Sequence, residues 1–359
     1  MYYSFCSVVS RSYIFLVLLS ILVACGNKKG SGGVKAADAL ATFQIADGFK
    51  MEMIASEPLI SDPVDMEIDE YGRMYVSEMH GYPLDKSGSG NIVLLADTNG
   101  DGIMDKRTVF KDGLMLPTSI MRWKKGIIVT DSPHILYLED TDGDGRSDIR
   151  DTLLRGFALS NPQHNVNNPV LGMDNWIYLG HEPAITSKMY TEEFGDTGSD
   201  IYYPGRVNSP KLPQNARGRS VRFRPDRGGL ELLSSFTQFG QTFDPWGRHL
   251  LVHNANHIYH EVIGFPYLNR NPDLLVSDAT QSISDHGAAA EVYPITQNPE
   301  HQIYTDVGVF TSSCGLTYYS GGLFPAPFDS VSFVAEPVSN IVHADLLRDK
   351  GASFTASRL

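Results

Sequence analysis

The sequence predicts an all-β chain folded as a β-propeller, and three observations carry that expectation. Two acidic-glycine loops, Asp97-Thr-Asn-Gly-Asp-Gly-Ile-Met-Asp105 and Asp140-Thr-Asp-Gly-Asp-Gly-Arg-Ser-Asp148, stand 43 residues apart, each after an apolar β-type run. A fixed period in the forties with several short strands per unit is the signature of propeller blades. Segments pairing a turn with an aromatic or β-branched run also recur. Helical periodicity is nearly absent, with only the short stretch 346–350 suggesting it.

Taken in order, the recurring segments are Asp69-Glu-Tyr-Gly-Arg-Met-Tyr-Val76, Trp123-Lys-Lys-Gly-Ile-Ile-Val129, Met173-Asp-Asn-Trp-Ile-Tyr178 and Asp244-Pro-Trp-Gly-Arg-His-Leu-Leu-Val252. A looser fifth is Phe328-Asp-Ser-Val-Ser-Phe-Val334. Turn residues followed by apolar or alternating runs are hairpin signals. They predict about five blades over 41–359. Residues 190–219, rich in Gly, Pro, Asp and Asn, read as an irregular loop on one face.

The N-terminal region reads as a targeting segment. Arg11 precedes an apolar run from Tyr13 to Ala24, which ends in Leu22-Val-Ala-Cys-Gly26. That is a secretory signal over 1–24 with the lipobox pattern of bacterial lipoproteins, in which Cys25 carries the lipid. An uncleaved anchor is the alternative, but the run is short for a span. Residues 25–40 read as a flexible tether. The expected location is the bacterial cell envelope, facing the periplasm or cell surface. Gly26 after the cysteine favours the outer membrane.

After removal of the signal and lipidation of Cys25, Cys314 is the one remaining thiol, so no disulfide framework is expected. A buried apolar thiol is the ordinary reading of Cys314, with a nucleophile as the alternative. A net charge of −13 argues against a nucleic-acid partner.

In each acidic loop, oxygens at positions 1, 3, 5 and 9 match the front of a calcium loop, and glycine at position 6 (Gly102, Gly145) permits the sharp turn. The candidate ligands are Asp97, Asn99, Asp101 and Asp105, then Asp140, Asp142, Asp144 and Asp148. No glutamate follows at position 12, so these are not EF-hands. The competing reading is a solvated Asp/Gly turn between two strands. The polar loop Asn161-Pro-Gln-His-Asn-Val-Asn-Asn168 holds the candidate general base, His164, with Gln163, Asn165 and Asn167 around it. A hydrogen-bonding role for a loop histidine is the alternative. His249, His253, His257 and His260 have helical spacing, but the flanking residues indicate a hairpin, on which they diverge; a four-histidine metal site is not expected. His257 and His286 read as loop residues near a site mouth.

Several motifs together resemble the membrane-bound dehydrogenase family: Gly48-Phe-Lys-Met-Glu-Met-Ile-Ala-Ser-Glu-Pro58, the Asp/Gly loops, Asn161-Pro-Gln-His164, Gln238-Phe-Gly-Gln-Thr-Phe-Asp244, Asn256-His-Ile-Tyr-His260, Asp285-His-Gly287, Ser313-Cys-Gly-Leu316 and Val334-Ala-Glu-Pro337. The match runs from about Phe43 to the end. The family's propeller is similar to that of soluble sugar dehydrogenases using pyrroloquinoline quinone, with Gly315-Leu-Thr-Tyr-Tyr-Ser-Gly-Gly-Leu-Phe-Pro325 among the shared pieces. The resemblance implies oxidation of a sugar or related alcohol, with His164 as base and the quinone as cofactor. Gln163, Asn165, Asn167, Gln238, Asn256, His257, Asp285 and His286 would then bind substrate or cofactor. Electrons would pass to a cytochrome c, with haem c only in a downstream domain.

Two departures stand out. Phe236-Thr-Gln-Phe239 lies where those enzymes place an Arg-Asn pair against the quinone, and the resemblance implies a six-bladed propeller, whereas the sequence stops at Leu359 with about five blades encoded and the C-terminal blade missing, which suggests a fragment. The rival function is a non-catalytic propeller that binds glycans or partner proteins.

Overall fold

The computed structural model describes residues 34–271, 273–295 and 308–359. The signal segment and the Cys25 lipidation site lie outside the described residues, as does most of the tether. Two compact units divide the chain at Met53/Ile54. In the first, the described residues form a short helix, Ala36–Ala39, followed by a 3-10 turn, Leu40–Thr42. No helix among the described residues is long and apolar enough to cross a membrane.

The second unit holds five four-stranded antiparallel sheets, each a meander in sequence order. The first is β1 (Pro63–Ile68), β2 (Met74–Glu78), β3 (Gly90–Ala96) and β4 (Lys106–Leu114). The second is β5 (Ser119–Trp123), β6 (Gly126–Asp131), β7 (His134–Glu139) and β8 (Ile149–Arg155). The third is β9 (Asn167–Leu171), β10 (Ile177–Gly180), β11 (Val221–Arg224) and β12 (Gly229–Leu232). The fourth is β13 (Gln241–Phe243), β14 (His249–His253), β15 (Asn256–Glu261) and β16 (Thr280–Ser282). The fifth is β17 (Cys314–Tyr319), β18 (Val331–Glu336), β19 (Ile341–Lys350) and β20 (Ser353–Arg358). First strands adjoin in succession, β1 on β5, β5 on β9, β9 on β13 and β13 on β17. That is the arrangement of propeller blades. Among the described residues there is no sixth four-stranded sheet.

All five recurring segments prove to be one element, the turn between a sheet's first and second strands together with the second strand itself. The reason is visible in the first and fourth sheets. Asp69 Oδ1 accepts from the backbone N–H groups of Tyr71 and Arg73, and Asp244 Oδ1 accepts likewise from Trp246 and Arg248. Each turn needs one residue at positive φ, which Gly72 (78°) and Gly247 (81°) supply.

The second strands of the inner sheets are buried on both faces because each inner blade is packed between two others, whereas β2 of the first sheet is covered on one side by Ala55, Leu59 and Ile60. In β6, Ile127 and Val129 pack with Tyr75, Ile92 and Leu94 of the first sheet, while Ile128 between them packs with Ile177, Val221 and Phe223 of the third. Alternation along one strand thus feeds two interblade cores. Leu250, Val252 and Ile258 meet Leu316, Val334 and Phe354 in the same way between the fourth and fifth sheets.

The stretch 190–219 departs from the expectation of a surface loop. It runs between β10 and β11, and its Ile201, Tyr203, Leu212 and Ala216 are buried in the core of the second and third sheets. Asn215 Oδ1 accepts from Ala158 N at 2.8 Å, closing the insertion onto the chain before β9.

Candidate functional site

The ends of β9 and β10 gather the candidate site. His164 closes a 3-10 turn, Pro162–His164, just before β9. Asn161 Oδ1 accepts from Gln163 N at 3.1 Å and caps that turn, and Pro162 sets its entry angle. Glu182 lies two residues past β10, the antiparallel neighbour of β9, so both residues emerge at the same end. Gln238 comes from the segment before β13, and His253 ends β14.

Glu182 is the centre of the group. One carboxylate oxygen pairs with His164 Nδ1, and the other lies 3.6 Å from His253 Nε2. Burial pushes the Glu182 carboxyl up, but the two imidazoles outweigh it and hold the group below the ordinary glutamate value. An ionised Glu182 accepts the Nδ1 proton of His164 and so fixes the tautomer whose Nε2 carries a lone pair. That nitrogen faces the Gln238 carboxamide, 3.4 Å away, whose own oxygen accepts from Asn254 N at 3.3 Å. The His164 side chain is 16% exposed against 6% for Glu182, so solvent and ligand reach the imidazole and not its orienting carboxylate. A base oriented by a buried carboxylate can take a hydroxyl proton.

The other expected site residues divide. Gln163 donates to the Tyr82 hydroxyl at 2.7 Å on the exposed side of the turn. Asn165 and Asn167 are buried, and Asn165 Nδ2 has no hydrogen-bond partner among the described residues. Asn165 Oδ1 accepts from Ser160 N, and Asn167 Nδ2 donates to the carbonyls of Asn165 and Gln238. Asn167 Oδ1 also accepts from Gly240 N. Both are buried brackets, and the second ties the His164 turn to the Gln238 segment. Asn256 Oδ1 accepts from Ser282 Oγ within the fourth sheet.

His257, Asp285 and His286 belong to a second group, with no hydrogen bond or ion pair to His164, Glu182 or Gln238 among the described residues. His257 Nε2 pairs with Asp345 Oδ2 at 2.8 Å, and His286 Nδ1 pairs with Asp285 Oδ1 at 2.9 Å. The four-histidine series resolves into a hairpin, β14 to β15, in which no two of the histidines share a partner. His249 pairs with Glu261 and Gln241, and His260 with Ser353.

Sequence reasoning missed Glu182, His253, His343 and Asp345. A carboxylate just past the apolar run Ile177-Tyr-Leu-Gly180 was the available signal for Glu182. His343 and Asp345 stand two residues apart on one strand, but the partner that joins them to His257 comes from another blade.

The acidic loops close the β3–β4 and β7–β8 hairpins at equivalent positions. In the first, Asp97 accepts from Gly100 N and Gly102 N; in the second, Asp140 accepts from Gly143 N and Gly145 N. Asp105 and Asp148 each accept from the threonine at position 2. Asp140, Asp142 and Asp148 offer oxygens within 4.8 Å of one another, a donor set that fits a hard cation. Asp144 is not in that group, and among the described residues the first loop forms no such group of three carboxylates. Cys314 is half-buried, and burial, with Glu336 adding to it, pushes its thiol up to about 11. It is no nucleophile at neutral pH. A separate cavity of about 290 Å³, lined by Trp123, Leu171, Arg224 and Arg227, sits by the turns after β5, β9 and β11, at the end of β9 opposite His164.

Solved structures of low identity resemble the chain. The PQQ-bound aldose sugar dehydrogenase from Streptomyces coelicolor is 13% identical over 85% of this chain and 82% of its own, with a TM-score of 0.45. The pyranose dehydrogenase PQQ domain from Coprinopsis cinerea is 14% identical over 87% and 82%, with a TM-score of 0.45. A family AA12 protein from Trichoderma reesei is 12% identical over 87% and 86%, with a TM-score of 0.46. No curated protein matches the chain in sequence. Residues 35–358 match the model of DUF7133, a domain of unknown function, and the chain belongs to that family.

Proposed function

We propose that the chain is a sugar or alcohol dehydrogenase in which His164 removes the hydroxyl proton of the substrate. The observation that supports this most directly is the pairing of His164 with the buried, ionised Glu182 at an accessible mouth. His253, whose side chain is 40% exposed beside Glu182, is suited to hold a further hydroxyl, while Gln238 is buried against the His164 ring. Alcohol oxidation releases a proton and a hydride, and the chain's own residues account for the proton.

The hydride needs a redox cofactor, and the sequence resemblance points to pyrroloquinoline quinone. Its three carboxylates do not fit the residues present. Residues 161–168 and 236–244, which carry His164 and Gln238, contain no Arg or Lys, and among the described residues none ion-pairs with Glu182. Calcium in the second acidic loop, a cytochrome c acceptor and a lipid-anchored envelope location through Cys25 complete the reading, the last two resting on sequence alone.

The same lack of cations favours a second reading, a propeller that binds glycans without turning them over. Dye reduction by the purified full-length chain, supplied with calcium and quinone and tested across a panel of aldoses and alcohols, separates the two. The dehydrogenase reading expects substrate-dependent reduction, with kcat falling about 100- to 10,000-fold in His164→Ala. Sugar binding without reduction for any compound replaces it with the binding module.

A further inference from the structure

We infer that His257, His286, His343 and Asp345 form a binding site for a divalent transition-metal ion of the zinc class, clamping the fourth sheet to the fifth. The site is separate from His164 and stands whether or not the chain is a dehydrogenase. One ring nitrogen of each histidine and one Asp345 oxygen lie within 4.8 Å of one another. Their origins converge from three places. His257 is on β15, His343 and Asp345 share one face of β19 two residues apart, and His286 lies on the segment after β16. That segment is pinned to the fifth sheet by Asp285 N donating to Ala356 O at 2.9 Å.

A buried His–Asp network explains only part of this. Asp345 takes His257 Nε2 at 2.8 Å and His343 Nε2 at 2.9 Å. Yet His257 Nδ1 and His286 Nε2 are buried with no hydrogen-bond partner among the described residues, in a His257 side chain that is 1% exposed. The imidazoles also crowd one another, with centroids 4.9 Å (His257–His286), 5.0 Å (His257–His343) and 5.5 Å (His286–His343) apart. No histidine–histidine hydrogen bond joins them among the described residues. Unpaired buried nitrogens need a ligand, and three imidazoles sharing one carboxylate supply a metal's donor set.

The outer contacts agree. Asp285 Oδ1 pairs with His286 Nδ1, and Asp285 Oδ2 accepts from Ser357 Oγ at 2.6 Å. This carboxylate–imidazole pair holds the tautomer with a free Nε2 lone pair, as outer carboxylates do for metal-bound histidines. Three nitrogens and one oxygen select zinc and its first-row neighbours over calcium and magnesium, which take oxygen ligands. Bonds of about 2.0–2.1 Å place tetrahedral ligand atoms about 3.3 Å apart, so side-chain shifts of about 1 Å complete the shell.

The full chain, stripped with a chelator and titrated with cobalt(II) and then zinc chloride, tests the site. One tight equivalent is expected, with the visible bands of four-coordinate cobalt, displacement by zinc and a rise in Tm that persists in saturating calcium. His286→Ala should weaken zinc at least 100-fold, and Asp285→Asn about 10- to 100-fold. Asp285 is exposed enough for its variant to fold even if His343→Asn does not. Absence of the cobalt bands, or zinc uptake unchanged in both His286→Ala and Asp285→Asn, overturns the inference.

Discussion

Glu261→Gln is the perturbation whose size the structure fixes best, and it reaches the candidate site from a distance. Glu261 ends β15 with its carboxylate almost fully buried. One oxygen accepts from Ser234 N (3.1 Å) and from the Ser234 hydroxyl; the other accepts from Ser235 Oγ (2.7 Å) and pairs with His249 Nδ1 (2.8 Å). Burial raises this carboxyl, but the His249 pairing and the two serines overturn that effect and leave it at about 2, against an ordinary value of 4.5. A folded value below the unfolded one means stability that is complete above the unfolded pKa and lost as pH falls through the folded one. At about 1.4 kcal/mol per unit, the difference corresponds to about 3 kcal/mol at pH 7, shrinking between about pH 5 and pH 2. For a domain of this size that lowers Tm by about 5 °C. Ser234 and Ser235 anchor the run that carries Gln238 to His164, so sugar affinity should fall as well. The assay is thermal unfolding of wild type and Glu261→Gln at pH 7 and pH 2.5. A variant within 1 kcal/mol of wild type at pH 7, or an equal deficit at both pH values, refutes the reasoning.

Three other predictions rest on single observations. Calcium at 100-fold over its Kd should stabilise the chain by about 3 kcal/mol, and Asp140→Asn should abolish that gain while Asp101→Asn leaves it; equal responses to calcium would remove the second loop as a site. Peptide-resolved alkylation of Cys314 should be slow at pH 7.5 and rise as pH approaches 11, whereas a rate at pH 7.5 equal to that of a free thiol contradicts the buried assignment. Gly126→Ala should cost about 3 kcal/mol, because a Cβ there meets the Leu138 carbonyl at 2.0 Å in the β6–β7 ladder; unfolding in urea with an unchanged midpoint would show that the ladder yields.

The blade plan was legible in the sequence because it is local. The Asp-x-x-Gly turn bonds to its own backbone, and the 43-residue offset between the acidic loops reflects the same β3–β4 and β7–β8 hairpin in successive sheets. His164 was legible for the same reason, as the polar turn before an apolar strand. The stretch 190–219 misled, since its Gly and Pro content marks irregular backbone and says nothing about burial. Ile201 and Leu212 pair across an isolated bridge and fill a core that other sheets create.

What the sequence determined by itself is thus the repeating strand-and-turn unit, the position of a candidate base and the residue types able to hold a cation. The tertiary structure alone decided which of them meet. Glu182 reaches His164 across two paired strands, 18 residues apart, and Asp345 reaches His257 across two blades, 88 residues apart. Hydrogen bonds and ligand shells depend on distances of about 3 Å, and such distances between blades are set by how the sheets pack, which no local pattern encodes.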